Sequence, residues 1–435
     1  MQRIYKLIVL LLVIANTGAF AQASKQVAEE VMVDGVKLIF KPSLNKIVSA
    51  RMFIRGGVSN YQKAQEGIEA LALQVATTGG TQQYSKEKYF EELEKVGASI
   101  AGTSTFDYGN VSLSCVNSTF DKVWPLFTDA IMNPSFTEEE FSKIKEQSIS
   151  TIKENQSNPD AYIQQMIMLD AFANLDYSKR PAGTEESMEK LTAAESRDYL
   201  KSVINKKQVF FVVVGNVNKA DLIEKVRAMV KGMPEGKYVA NSSGLLNITQ
   251  STVNIEERPL ATNYIFGVMN APVGMSEEGY AMRLAYSIFS NRMFDEIRTK
   301  RGLSYAPYAM YRGGKSPYAG MGVSTTDPNA SVQVMIDEVK KLKTVGFSEK
   351  EVLDEKSGFV TSYFMQQETN SGQTQSLGSN EIYGNWQNSI TIVDKIKNVK
   401  AKQVNEAFKK YATGIRWSYL GDKSKLDSKL MLQKL

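Results

Sequence analysis

The chain contains no histidine in 435 residues. That absence removes every arrangement in which an imidazole activates serine or cysteine, and every zinc site built from mixed histidine and carboxylate ligands. Cysteine is almost absent as well. Cys115 alone allows no internal disulfide, so stability must come from packing. It sits in the alternating run Val111 to Val116, where a buried structural role is expected rather than a reactive thiol. Proline is sparse at 11 residues and no long biased tract occurs, which argues against a disordered chain. A strong charge excess is missing too: 52 Lys and Arg stand against 47 Asp and Glu, a net +5 that is too slight to argue for nucleic acid.

What is present points to an exported protein of two domains, since the length exceeds what one typical core supports. Residues 1–21 read as a secretory signal: Arg3 and Lys6 give a basic start, Leu7 to Ala15 an apolar stretch, and Ala19-Phe20-Ala21 a cleavage site. No later stretch approaches roughly 18 uninterrupted apolar residues, so no membrane span is expected after signal removal and the product should be soluble, periplasmic or extracellular. Domains are expected at 22–235 and 251–435, with Pro234, Gly236 and the Ser/Asn-rich 241–244 marking a linker over 236–250.

The element pattern repeats across that linker. Asp34-Gly35 predicts a hairpin, Ile47 to Arg55 a strand, Gly67 to Ala76 a helix, and Thr137 with Glu140 a capped start to a long helix ending near Asn155. Phe136-Thr137-Glu138-Glu139-Glu140-Phe141 recurs as Phe347-Ser348-Glu349-Lys350-Glu351-Val352, an offset of 211 from position 136 to 347. Tyr108 and Tyr318 stand 210 apart, each opening a strand that leads into a helix. A period of that size predicts a duplicated domain rather than a solenoid. Strands segregated from runs of helices make the fold class α+β.

With no imidazole, carboxylate or lysine chemistry is what remains. Glu138-Glu139-Glu140 reads as dipole-favoured charge at a helix start, and Asn155, Asn158 and Asp160 as a solvated turn. Arg312-Gly313-Gly314-Lys315 lacks the ending of a phosphate-binding loop and reads as a basic loop. The stronger candidate is Arg298 to Tyr305: a helix from Met282 to Arg298 ends there, and Gly302 turns the chain so that Arg298 and Tyr305 can meet. A guanidinium beside a phenol can hold a peptide carbonyl or carboxylate by donated hydrogen bonds.

The order of the Asp34-Gly35 hairpin, Gly56-Gly57, Gly79-Gly80-Thr81, Tyr84-Ser85, Phe90 to Gly97-Ala98, Gly183-Thr184-Glu185 and Val212 to Val217 resembles the insulinase or pitrilysin superfamily of inverted-motif zinc peptidases. The likeness is to its short, two-domain branch, similar to the mitochondrial processing peptidase subunits. It implies two homologous α/β sandwich domains in tandem, each a mainly antiparallel sheet with helices packed on one face. Active members carry His-x-x-Glu-His, two zinc ligands and a water-activating glutamate, on the helix that here follows Gly67-Ile68. The three positions fall on Ala70, Leu73 and Gln74, and a further glutamate ligand falls near Ser150, with Glu146 and Glu154 nearby. One carboxylate cannot hold zinc alone, so the resemblance implies no metal in this chain. Arg298 through Tyr305 resembles the arginine-tyrosine pair by which the family's C-terminal domain holds substrate. The resemblance therefore implies a non-catalytic subunit of a heterodimer that binds peptide while a zinc-bearing homologous partner activates water. The alternative it leaves open is a structural or peptide-binding protein of the same fold.

Overall fold

The computed structural model describes residues 27–240 and 244–435, so the expected leader and Asn241 to Ser243 of the expected linker lie outside the described residues. Asp34 and Gly35 both adopt positive φ, +46° and +90°, and join strands β1 (Glu29–Val33) and β2 (Val36–Pro42) as the sequence predicts. There follow β3 (Ile47–Arg55), α1 (Ile68–Thr78), α2 (Lys86–Glu94), β4 (Ser99–Ser104), β5 (Tyr108–Val116), α3 (Phe120–Met132), α4 (Glu138–Ser157), α5 (Pro159–Ala171), α6 (Glu185–Lys190), α7 (Ala193–Val203), β6 (Val209–Gly215) and α8 (Lys219–Val230). The second half runs β7 (Thr252–Glu257), β8 (Asn263–Asn270), α9 (Glu277–Met293), β9 (Tyr308–Arg312), β10 (Tyr318–Thr325), α10 (Pro328–Thr344), α11 (Glu349–Gln366), α12 (Asn370–Ile382), α13 (Asn388–Asn398), α14 (Ala401–Tyr411), β11 (Arg416–Gly421) and α15 (Ser428–Met431).

Each half builds one mixed sheet, in the order β1-β2-β6-β3-β5-β4 and β7-β11-β8-β10-β9. Apart from the extra edge strand β1, the two orders are the same. In both, the last strand joins one neighbour in parallel, β6 with β2 and β11 with β7, while the other pairings are antiparallel. The helices α4 and α11 begin 211 residues apart, as do α5 and α12. Tandem duplication of an α+β unit is thus visible in topology as well as in sequence.

The halves are fastened by an exchange that the sequence reading did not anticipate. Successive strand residues face opposite sides of a sheet. On the first sheet Met52, Ile54, Phe211 and Val213 pack with that half's own helices. Phe53, Phe210, Val212 and Val214 face the other way, against Leu377 and Ile382 of α12 from the second half. The second sheet mirrors this arrangement. Ile265 and Met269 pack with their own helices, while Phe266, Val268 and Leu420 join a core that includes Ile163, Met166 and Ile167 of α5 from the first half. The expected single helical face is therefore the face covered by each half's own helices, and the opposite face is covered by one crossing helix.

Polar contacts fix the crossing. Glu381 of α12 is 6% exposed and pairs with Lys37 and Arg55 of the first sheet at 2.9 Å each. Arg51 donates to Gln375 Oε1 at 2.6 Å. At the other crossing, Tyr162 of α5 donates to Glu256 of β7 at 2.8 Å. The end of the expected linker is pinned rather than loose: Ile248 is buried, and its backbone exchanges two hydrogen bonds with the Asn270 side chain.

Candidate functional site

Helix α1 starts after Gly67, whose φ of +88° sets the turn into it, and it packs across β4 so closely that a Cβ on Gly102 would stand 2.5 Å from the Leu73 carbonyl oxygen. On this helix Leu73 is fully buried, and Ala70 and Gln74 are partly buried. The Gln74 carboxamide is engaged across the helix pair, where Ser148 Oγ of α4 donates to Gln74 Oε1 at 3.2 Å. Ser150, two residues further along α4, is exposed. A methyl, an isobutyl group, an amide and a hydroxyl offer a divalent cation no charged or imidazole donor, so these four positions do not fit zinc. Among the described residues there is no cluster of three or more His, Cys, Asp or Glu placed to hold a metal ion.

Sequence reasoning missed the carboxylate that does occupy this region. Glu69 is fully buried and accepts from Tyr199 Oη at 2.6 Å, Ser104 Oγ at 2.8 Å and Asn60 Nδ2 at 3.3 Å. Burial raises its carboxyl above the ordinary range, and the three donors only partly oppose that rise. Glu69 thus ties α1 to α7 and to the end of β4. Its signal in the sequence was a single glutamate inside the apolar run Ile68 to Val75.

In the second half, α9 continues past Met293 into one wide π-type turn, Phe294–Thr299, extending the helix to the Arg298 limit expected from sequence. Gly302, at φ +62°, closes it in the left-handed cap position: its N–H donates to the Arg298 carbonyl at 3.1 Å, and the Leu303 N–H to the Ile297 carbonyl at 2.9 Å. That reversal brings the predicted pair together. The guanidinium carbon of Arg298 lies 4.1 Å from the centre of the Tyr305 ring and 4.7 Å from that of Phe294. Tyr305 is 78% exposed.

The neighbouring charges are arranged so that Arg298 stays uncommitted. Glu296 takes Lys300 and Arg301, both at 2.5 Å, and their hydrogen bonds hold its carboxyl down at about 2. Arg298 itself makes no ion pair with any carboxylate among the described residues. Cation–π contact with two rings holds a guanidinium in place without using its N–H groups, which stay available to a ligand oxygen. No hydrogen bond or ring contact among the described residues links this corner to Ala70, Leu73 or Gln74. Cys115 is buried and its thiol is pushed up to about 11 by burial, in keeping with a packing role.

Two family models match the chain: the one for the insulinase peptidase family M16 over residues 39–185, and the one for the M16 inactive domain over residues 190–359. An uncharacterized zinc protease of Rickettsia felis is 23% identical over 380 residues, covering 83% of this chain and 89% of the relative. A protein of Helicobacter pylori described as a non-peptidase homolog is 22% identical over 398 residues, covering 89% and 92%. Among solved structures, a peptidase M16 inactive domain from Pseudomonas fluorescens superposes with a TM-score of 0.84 at 16% identity, over 91% of this chain and 98% of the other. No helix among the described residues is long and apolar enough to cross a membrane.

Proposed function

Because the chain belongs to the M16 insulinase family of peptidases and is a catalytically inactive member of it, we propose that it is the substrate-binding subunit of an exported heterodimeric zinc metallopeptidase. The observation that carries this reading is the contrast between Ala70, Leu73 and Gln74, which cannot ligate zinc, and Arg298, which contacts the ring of exposed Tyr305 and pairs with no carboxylate among the described residues. A partner chain with an intact metal motif supplies zinc and activates water. Arg298 and Tyr305 hold a carbonyl or carboxylate of the peptide so that the scissile bond lies over the partner's metal. Export rests on residues 1–21, and the solved periplasmic protease PqqL of Escherichia coli, TM-score 0.75, is a fold relative that works in that compartment.

The test is a peptide-cleavage assay on this chain alone, on a zinc-bearing homologue alone, and on the two together. Cleavage that rises only in the mixture, and drops there with Arg298→Ala, is the expected result. A mixture no more active than the homologue by itself rejects the subunit role and leaves a structural or peptide-binding protein.

A further inference from the structure

Where the two halves meet, a cavity of ≈ 370 Å³ and another of ≈ 600 Å³ share the walls Phe106, Tyr177 and Tyr318, and α12 lines the larger. The larger one falls within the range of about 300–1,000 Å³ usual for small-ligand sites. Its walls come from both halves and from the Arg312-Gly313-Gly314-Lys315 loop, which the proposed function does not use.

Most polar groups facing this cavity are satisfied within the protein. Tyr177 Oη donates to Asp107 Oδ2 at 2.7 Å, and the Lys315 N–H donates to the same oxygen at 3.4 Å. Tyr311 Oη donates to the Pro272 carbonyl at 2.8 Å, Tyr363 Oη to the Ser389 carbonyl, and Gln375 Nε2 to Tyr108 Oη at 2.7 Å. The cations are different. Arg283 of α9 lines the cavity, its Nε is closed to solvent without an acceptor, and no hydrogen bond or ion pair to it exists among the described residues. Its nearest ring is Phe359, 6.0 Å away. Arg312, on the loop side, is exposed and pairs with no carboxylate among the described residues.

A half-buried guanidinium without a counter-charge lowers stability and is available to an anionic ligand. We infer that this cavity binds the C-terminal end of a peptide: the carboxylate on Arg283 with Arg312 at the entrance, and the last side chain among Tyr311, Phe359 and Tyr383. The guanidinium fork matches a carboxylate in geometry and charge. The cavity, ≈ 600 Å³, is larger than a carboxylate with a single ring fills, which favours a peptide end over a simple organic acid. This site stands on Arg283 and its cavity, whether or not a zinc-bearing partner exists.

Calorimetric titration of the full chain tests it with three probes: a tripeptide of two alanines and a C-terminal phenylalanine as the free acid, the same peptide as its C-terminal amide, and 3-phenylpropionate. The free acid is expected to bind at least about tenfold more tightly than either of the others, the scale of a charge-assisted hydrogen bond. Arg283→Met is expected to abolish the preference for acid over amide and to raise the melting temperature, because it removes the unpaired charge. Arg283→Lys should fold and keep part of the preference, with a charge but no fork. Equal binding of acid and amide by the native chain, or an Arg283→Met protein that still prefers the acid, overturns the site. Phenylpropionate binding as tightly as the peptide overturns the peptide assignment.

Discussion

Helix α1 and the turn from Phe294 to Tyr305 are the two places where the family resemblance expects chemistry, and their polar groups are in opposite conditions. Around α1 they are turned inward: Glu69 is enclosed by Tyr199, Ser104 and Asn60, and Gln74 is held by Ser148. At the turn, Glu296 absorbs Lys300 and Arg301, while the guanidinium of Arg298 lies 4.1 and 4.7 Å from the ring centres of Tyr305 and Phe294 and pairs with no carboxylate among the described residues. A region whose donors and acceptors are mutually satisfied contributes stability. A region that keeps a charged donor unsatisfied at the surface is available to a ligand.

Substitutions that separate stability from activity sharpen this contrast. The largest effect is expected from Glu69→Ala, which leaves three donors around a cavity and should lower unfolding stability by about 3 kcal/mol in a denaturant titration. Arg298→Ala should do the reverse. It is expected to leave stability within about 0.5 kcal/mol, as surface substitutions usually do, and to lower kcat/KM of the mixture with a zinc-bearing homologue about 100-fold. If Arg298→Ala unfolds the protein instead, the two regions are alike and the contrast breaks. Tyr305→Phe keeps the ring under the guanidinium and removes one hydroxyl, so kcat/KM of the mixture should drop only about fivefold.

The smallest effect is one of pH. Glu69 has its folded carboxyl pKa raised above the ordinary 4.5 by burial. The folded state therefore holds that proton more tightly than the unfolded chain does. Its contribution to stability is fully present below the ordinary value and is lost as pH rises through the raised one. A melting series across that window should show the native chain losing stability toward higher pH, and Glu69→Gln losing less. Parallel curves for the two proteins would show that Glu69 does not titrate there.

Local signals were legible because they depend on neighbours in sequence. Asp34-Gly35 turns as expected, β3 keeps the predicted bounds Ile47–Arg55, and Gly302 caps the helix that brings Arg298 to Tyr305. The capping box at Thr137 is half right: Thr137 accepts from the Glu140 N–H, but the Glu140 carboxylate turns to Lys86 and Lys143 instead. The duplication was legible in two offsets, yet its structural consequence was not. Nothing local in α5 or α12 says that each covers the other half's sheet, since an apolar helix face does not name its partner. The tight seat of Gly378, where a Cβ would stand 2.1 Å from the Phe53 ring, joins residues far apart in the chain. Glu69 was missed for a related reason: a lone glutamate in an apolar run reads as a surface position until Tyr199, from a distant helix, is placed beside it.

Ala70, Leu73 and Gln74 are unable to ligate a metal, and elemental analysis for zinc tests that most directly. The purified chain, equilibrated with zinc and then desalted, is predicted to retain far less than one ion per molecule. Retention of one zinc per chain would contradict it.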